Sequence, residues 1–257
     1  MNLKAVTRRR FLGLSAAGSL IGASGCLSNS DDFEFPDGFS EDGVQDYAFG
    51  IGSPMYELDS VGGDYLDLQV DDEVEIELET TFEVNRVEHQ YYGMRTAPFM
   101  EEIEHVESYF VDNILYERIR FEDGREEYRR HENPEAFHDF THRFRNLANL
   151  DIIENWAEGV TFELAEINAT IQPKQAVYHA NTQGMEGTPF IQRRVDRDGS
   201  FVDGEMSFVI DDNGMFHSFW ALAEFEQATR GNEIEYQNFN NVTISEPEWL
   251  ADARDAA

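Results

Sequence analysis

His138 and His142 stand four residues apart in a stretch with helical periodicity. That spacing sets two imidazoles on one side of a helix, where they could share a metal ion. The glutamate that a zinc protease places beside its first histidine is missing, and both residues lie off the apolar stripe of the stretch, so they read as a solvated face without a metal. Asp196-Arg197-Asp198-Gly199 and Asp211-Asp212-Asn213-Gly214 gather carboxylates around turns, as calcium loops do. Neither keeps the spaced Asp-x-Asp-x-Asp-Gly order with a distal Glu, and turns between strands account for both. Paired carboxylates for acid-base hydrolysis carry no signal among 52 acidic residues, because any spacing can be found. The chain has no Gly-x-Ser-x-Gly elbow, no Gly-rich phosphate loop with its Lys, and no His-Glu-x-x-His. Catalysis is not expected, and no cofactor is implied.

What remains is covalent modification and apolar binding. Asn168-Ala169-Thr170 and Asn241-Val242-Thr243 are glycosylation sequons, which matter in an exported chain and require Asn168 and Asn241 to face solvent. In Met215 to Gln227 one alternate set reads Met215, His217, Phe219, Ala221, Ala223, Phe225 and the other Phe216, Ser218, Trp220, Leu222, Glu224. Both sets are apolar for much of their length. Two readings stay open. One is a central strand buried on both faces; the other has one face lining a cavity for an apolar ligand, through Met215, Phe219 and Phe225 or through Phe216, Trp220 and Leu222.

The first residues give an address. Lys4 and Arg8-Arg9-Arg10 precede Phe11-Leu12, and Gly13 to Gly25 are small or apolar, the pattern of a signal peptide over residues 1–25. The apolar stretch is shorter than the ~20 residues a helix needs to cross a bilayer. Thr7-Arg8-Arg9-Arg10-Phe11-Leu12 resembles the twin-arginine export consensus, with Arg8 and Arg9 as its pair. Ala23-Ser24-Gly25-Cys26 resembles a lipobox, with Ala23 where Leu is usual, so Cys26 is expected to carry a lipid and become the first mature residue. It is the only cysteine of the 257 residues, which rules out an intramolecular disulfide.

Without Lys4, Arg8, Arg9 and Arg10, the 19 basic residues fall to 15 against 52 acidic ones, a net charge of −37. Lys174 is then the only lysine. Acid spread along the chain, with Arg kept and Lys almost gone, resembles proteins of salt-loving archaea; at about 1 M salt the screening length is ~3 Å and such charges barely repel. With 41% hydrophobic and 13% aromatic residues the chain is not a disordered acidic tail. Nucleic acid is excluded as a partner by the sign of the charge.

The elements follow from periodicity. Residues 26–39 read as a tether and residues 40–257 as one domain. Val44, Tyr47, Ala48, Ile51, Met55 and Leu58 fall at helical spacing behind Ser40, with Gly50, Gly52 and Pro54 splitting the helix. Val74, Ile76, Leu78, Thr80 and Phe82 alternate with glutamates and predict a half-buried strand. Ile114 to Glu122 and Arg125 to Arg130 flank an Asp123-Gly124 hairpin turn. Asn133 and Pro134 start a second helix with the stripe Phe137, Phe140, Phe144 and Leu147, ending near Asn149. Glu154 to Glu158 predict a helical turn and Val160 to Ile167 a strand. Phe190 to Asp196, Glu205 to Asp211, Met215 to Gln227 and Glu233 to Ile244 predict a four-strand meander, with turns at Asp198-Gly199, Asp212-Asn213-Gly214 and Arg230-Gly231-Asn232.

The layout resembles a family of uncharacterised halophilic archaeal cell-surface lipoproteins. The residues that carry the likeness are Pro36-Asp37-Gly38-Phe39-Ser40-Glu41-Asp42-Gly43-Val44, Leu115-Tyr116-Glu117-Arg118, Val209-Ile210-Asp211-Asp212-Asn213-Gly214-Met215 and Ser245-Glu246-Pro247-Glu248-Trp249-Leu250. The resemblance implies an α+β fold similar to LolA-like carriers: a curved antiparallel sheet, a half-open β-barrel, with two or three helices on the concave side. It transfers no site residue. The expectation is a non-catalytic lipoprotein, anchored through Cys26 to the extracellular face of the cell membrane, that binds a lipid or other hydrophobic small molecule. The alternative is a structural or interaction module, an accessory subunit of a surface complex without ligand. Oligomeric state is not readable.

Overall fold

The strictly alternating apolar and acidic residues after Val74 can satisfy both water and a core only as an extended strand. In the computed structural model, which describes residues 33–49, 53–71, 75–96 and 102–255, they form β4 (Glu75–Asn85). Residues 1–25, expected as a signal peptide with Arg8 and Arg9, lie outside the described residues, as do Cys26 and Val74. A two-stranded ribbon comes first, β1 (Phe39–Ser40) with β2 (Gly43–Val44). Among the described residues, eleven antiparallel strands then make one open sheet. They are β3 (Ser60–Asp71), β4, β5 (Gln90–Thr96), β6 (Ile103–Val111), β7 (Ile114–Phe121), β8 (Glu126–Glu132), β9 (Glu163–Asn168), β10 (Gln175–Ala180), β11 (Phe201–Asp211), β12 (Phe216–Phe225) and β13 (Ala228–Gln237). The spatial order is β8-β7-β6-β5-β4-β3-β13-β12-β11-β10-β9. Two meanders, β3 to β8 and β9 to β13, are thus joined side by side through the β3–β13 pair.

This order dictates where the helices go. β8 and β9 are opposite edges, so the connection between them must cross a sheet of eleven strands, about 48 Å at the usual strand spacing. It carries α1 (Phe140–Leu147) and α2 (Leu150–Ala157). The β10–β11 connection carries α3 (Thr182–Met185) and α4 (Pro189–Asp198). Side chains from all four join one core cluster with the sheet face we call inner: Phe144, Ile153, Trp156, Met185 and Phe190 above, Phe82, Phe208, Phe219 and Ile234 below. A fifth helix, α5 (Leu250–Asp255), lies on the outer face, where Trp249 and Leu250 cluster with Tyr109 and Tyr116. The expected two or three helices are therefore five short ones among the described residues. The edge strand β8 reads Glu-Glu-Tyr-Arg-Arg-His-Glu, charge that discourages pairing with another chain.

Several expectations are corrected. Between Ser40 and Leu58 the described residues hold no α-helix, only the ribbon and 3-10 turns at Asp46–Phe49 and Pro54–Glu57. Gly43, at φ +136°, turns the chain where a helix would have started. Phe33 and Phe39 are buried in the core, so packing reaches back into the segment expected as a tether. Asn133, at φ +47°, precedes a 3-10 turn at Glu135–Phe137 and does not cap α1, which begins only after Asp139. Of the stripe of that region Phe137, Phe140 and Phe144 are buried and Leu147 half-buried, with Phe137 stacked on Phe110 at 4.3 Å. Glu154 to Glu158 belong to the longer helix α2. Phe190 to Asp196, expected as a strand, form α4: Pro189 occupies the first helical position and Gly199, at φ +84°, ends it. Arg230-Gly231-Asn232, expected as a turn, lie within β13, and the chain reverses at Glu226-Gln227 instead.

Candidate functional site

Along β13 the inner-facing positions change character. Tyr236 and Ile234 are apolar and buried, with Tyr236 OH donating to Ala148 O at 2.9 Å. The next two, Asn232 and Arg230, are polar. The register sets Asn232 opposite Asp67 and Arg230 opposite Gln69 on β3, and on β12 opposite Ala221 and Ala223. Those two methyl side chains leave height above the sheet, and α2 and α4 use it by stacking Trp156 on Phe190 at 3.7 Å. Where aromatic cover ends and polar floor begins there is a cleft of about 360 Å³. Tyr65, Asp67, Gln69, Arg230 and Asn232 form its floor, Ile152, Asn155 and Trp156 one wall, and Phe190, Arg193 and Arg194 the other.

The floor is internally satisfied. Trp156 Nε1 donates to Asn232 Oδ1, and Asn232 Nδ2 donates to Tyr65 OH at 3.0 Å and to Asp67 Oδ1 at 3.1 Å. Burial, with Asp67 adding to it, pushes the Tyr65 hydroxyl far up, so it stays protonated. Arg230 is fixed by a two-pronged contact in which Nε and Nη2 donate to Asp198 Oδ2 and Oδ1 at 2.9 and 2.7 Å. Asp198 is only 2% exposed. Burial alone would raise its carboxyl, but the hydrogen bonds from Arg230 and then Arg197 outweigh that and hold it below the usual carboxylate range.

The cations at the lip are held differently. Arg193 Nη1 lies 3.6 Å from Glu158 Oε2, and Arg194 Nη1 lies 4.0 Å from Asp198 Oδ2, neither a hydrogen bond. Arg194 rests over the Phe190 ring at 5.4 Å, and Arg193 Nη2 reaches Asn155 O only at 3.5 Å. Leu78 and Ile76, the β4 register partners of Asp67 and Gln69, are half-buried beside the cleft. The arrangement can hold a small molecule with an apolar body; among the described residues nothing groups three or more His, Cys, Asp or Glu for a metal.

The residues singled out in the sequence are distributed as follows. Phe216, Phe219 and Phe225 are buried in the inner core, and Met215 packs against it half-buried. Trp220 and Leu222 point to the outer face, against Leu66, Leu68 and Val70. Phe216 joins Phe219 despite the odd spacing because the β11–β12 register shifts there, with Val209 opposite Ser218 and Ile210 opposite Phe216, leaving His217 as the extra residue. His217 Nε2 meets Asp211 Oδ2 at 3.0 Å, and Asp211 Oδ1 accepts the Asn213 and Met215 amides, so this Asp-rich stretch is a closed turn. Asn168 is half-buried and accepts from Thr170, whereas Asn241 is exposed. His138 ends the 3-10 turn and His142 sits in α1 beside Asp139. Sequence reading missed Arg230, Asn232, Arg193 and Arg194. The period-two continuation from Tyr236 through Ile234 was the available signal for the first pair, and Pro189 followed by Phe190, Ile191 and Arg194 for the second.

No known protein family matches the sequence, and no curated protein is detectably similar to it. Among solved structures, the lipoprotein LppX of Mycobacterium tuberculosis aligns over 75% of this chain and 92% of its own at 9% identity, with a TM-score of 0.40. A DUF1329 family protein from Desulfovibrio piger aligns over 82% and 98% at 6% identity, TM-score 0.28. A domain from Vibrio parahaemolyticus described as outer membrane lipoprotein-sorting aligns over 82% and 95% at 8% identity, TM-score 0.25.

Proposed function

We propose that the chain is a non-catalytic lipoprotein that binds a small hydrophobic molecule in the cleft between the inner sheet face and helices α2 and α4. Residues 1–25 direct export through Arg8 and Arg9, and a lipid on Cys26 holds the mature protein at the extracellular face of the membrane. The observation that carries the binding reading is the cleft itself: about 360 Å³ walled by Ile152, Trp156 and Phe190. That volume is within the range of small-ligand sites; elsewhere on the inner face Phe39, Phe49 and Phe162 pack around Phe208. Asn241, exposed in its sequon, is the better of the two glycosylation positions. Asn168 would first have to release Thr170.

Native mass spectrometry of the mature chain, kept in high salt, tests the binding reading. The expected result is a co-purified apolar adduct that is lost from an Ile152→Trp variant, whose larger side chain fills the cleft. A bare mass for the wild-type chain, with no apolar probe taken up on addition, leaves the interaction-module reading. Anchoring is tested separately: Cys26→Ser should release the protein into the medium, and retention on membranes in high salt would refute it.

A further inference from the structure

The cleft gathers cations that the rest of the chain can hardly spare. Formal net charge is −33, with 19 basic residues in all, yet three arginines line this one depression against a single lining carboxylate, Asp67. Arg230 is committed, its fork closed on Asp198 beneath the floor. Arg193 and Arg194 are held more loosely: the nearest carboxylate stands at 3.6 Å from Arg193 and 4.0 Å from Arg194, beyond hydrogen-bond reach, and Arg193 Nη2 has only a long contact of 3.5 Å with Asn155 O. They occupy successive positions of α4 at the mouth, where Phe190 steadies Arg194 from one side. A guanidinium presents paired N–H groups that match the two oxygens of an oxyanion. Beside them run apolar surfaces at two levels, Ile152 in the wall and the half-buried Leu78 and Ile76 on the adjoining strand.

Resting on the binding reading above, we propose that the cleft's ligand is an amphiphile with a monoanionic carboxylate head, held by Arg193 and Arg194, and an apolar body laid over Ile152 toward Leu78 and Ile76. Asp67 in the floor and the acidic surroundings disfavour a second negative charge, so a carboxylate suits the site better than a phosphate monoester. The two arginines set which head enters, and Arg230 with Asn232 keeps the floor in shape.

Calorimetric titration of the purified chain in about 3 M KCl, where long-range attraction is screened, separates the possibilities. The probes are decanoate, decanol, decyl phosphate and decyltrimethylammonium. Decanoate should bind about tenfold more tightly than decanol, the size of one charge-assisted contact in ΔG, and decyltrimethylammonium more weakly than both. Arg193→Gln with Arg194→Gln should bring decanoate down to the level of decanol and leave decanol unchanged. Arg193 is exposed and Arg194 half-buried over Phe190, and an unchanged melting curve checks the fold of the variant. Equal binding of decanoate and decanol to the wild-type chain, or a carboxylate preference that survives the double substitution, overturns the head-group assignment and leaves the hydrophobic reading standing. Tighter binding of decyl phosphate replaces carboxylate by phosphate. No binding of any probe overturns both readings.

Discussion

Of the three carboxylates buried among the described residues, Glu107, Asp198 and Asp211, the first two lie on opposite sides of the sheet and are used in opposite ways. Glu107 of β6 faces outward, 5% exposed, and is surrounded. Oε1 accepts from Arg118 Nε at 3.0 Å, with His105 Nε2 at 3.2 Å, and Oε2 accepts from Tyr92 OH at 3.0 Å and Trp249 Nε1 at 2.8 Å. Arg118 also lies over the Trp249 ring, so the site closes on the segment that leads into α5. Asp198 on the inner side spends both oxygens on Arg230 and one also on Arg197, and leaves Arg194 outside hydrogen-bond range. A buried acid that consumes every nearby donor is a latch. One that leaves a cation over, next to open volume, builds a site.

The comparison can be broken first at Asp198. Asp198→Ala leaves Arg230, 8% exposed, as an uncompensated buried cation, and should cost about 3–5 kcal/mol of stability, read by chemical denaturation in high salt. A loss near zero would mean that water replaces the carboxylate and that the floor is not fixed by it. Glu107→Gln is the milder case, about 2 kcal/mol, because Arg118 is partly exposed and can turn to Glu126, 3.6 Å away. Its distinguishing sign is local: proteolysis between residues 238 and 255 should accelerate while the sheet stays folded. Unchanged proteolysis would refute the latch.

Acid titration sharpens the pairing. At both sites burial would raise the carboxyl, and the hydrogen bonds, led by Arg230 at Asp198 and by Arg118 at Glu107, bring it below its ordinary value. Their contribution is therefore fully present above the unfolded values, 3.8 for Asp198 and 4.5 for Glu107, and is lost as pH falls below these through the depressed folded values. Glu233, on the outer face opposite Trp220, has the reverse sign: burial, then Glu235, pushes it up to about 7. Stability should fall as pH rises from 4.5 toward 7, and Glu233→Gln should flatten that limb while leaving the acid limb in place. The smallest effect expected is at His142, whose contact with Asp139 is largely exposed; His142→Ala should change stability by less than about 0.5 kcal/mol.

The strands whose two faces differ were legible, because alternation states both the element and its burial: β4 and the β7–β8 hairpin appear where the pattern puts them. Elements that mix polar and apolar residues on a buried face were not. β13 carries Arg230 and Asn232 inward, and an Arg-Gly-Asn string with no apolar partner on that face looks like a turn until Asp198, 32 residues away, is known to meet it. α4 has only Phe190 and Ile191 buried near its start, too few for a helical period to outweigh a strand. The odd spacing of Phe216 and Phe219 hides a bulge, which no alternation rule anticipates. The candidate site draws on the first two of these exceptions, β13 and α4, and not on the bulge, so its residues were not singled out in the sequence.

Phe33 packs in the core with Phe35 edge-on at 5.0 Å, and Pro36 lies beside the Gly214 turn at the β11–β12 hairpin. The chain thus enters the domain at the Phe216 end of β12, whereas Arg230 lies opposite Ala223, seven residues further along, about 24 Å at strand rise. If the lipid is on Cys26, the seven residues from Cys26 to Asp32 span at most about 25 Å, and the hairpin becomes the foot of the molecule. The arginine-lined mouth then lies toward the opposite end of β12 from the point of attachment.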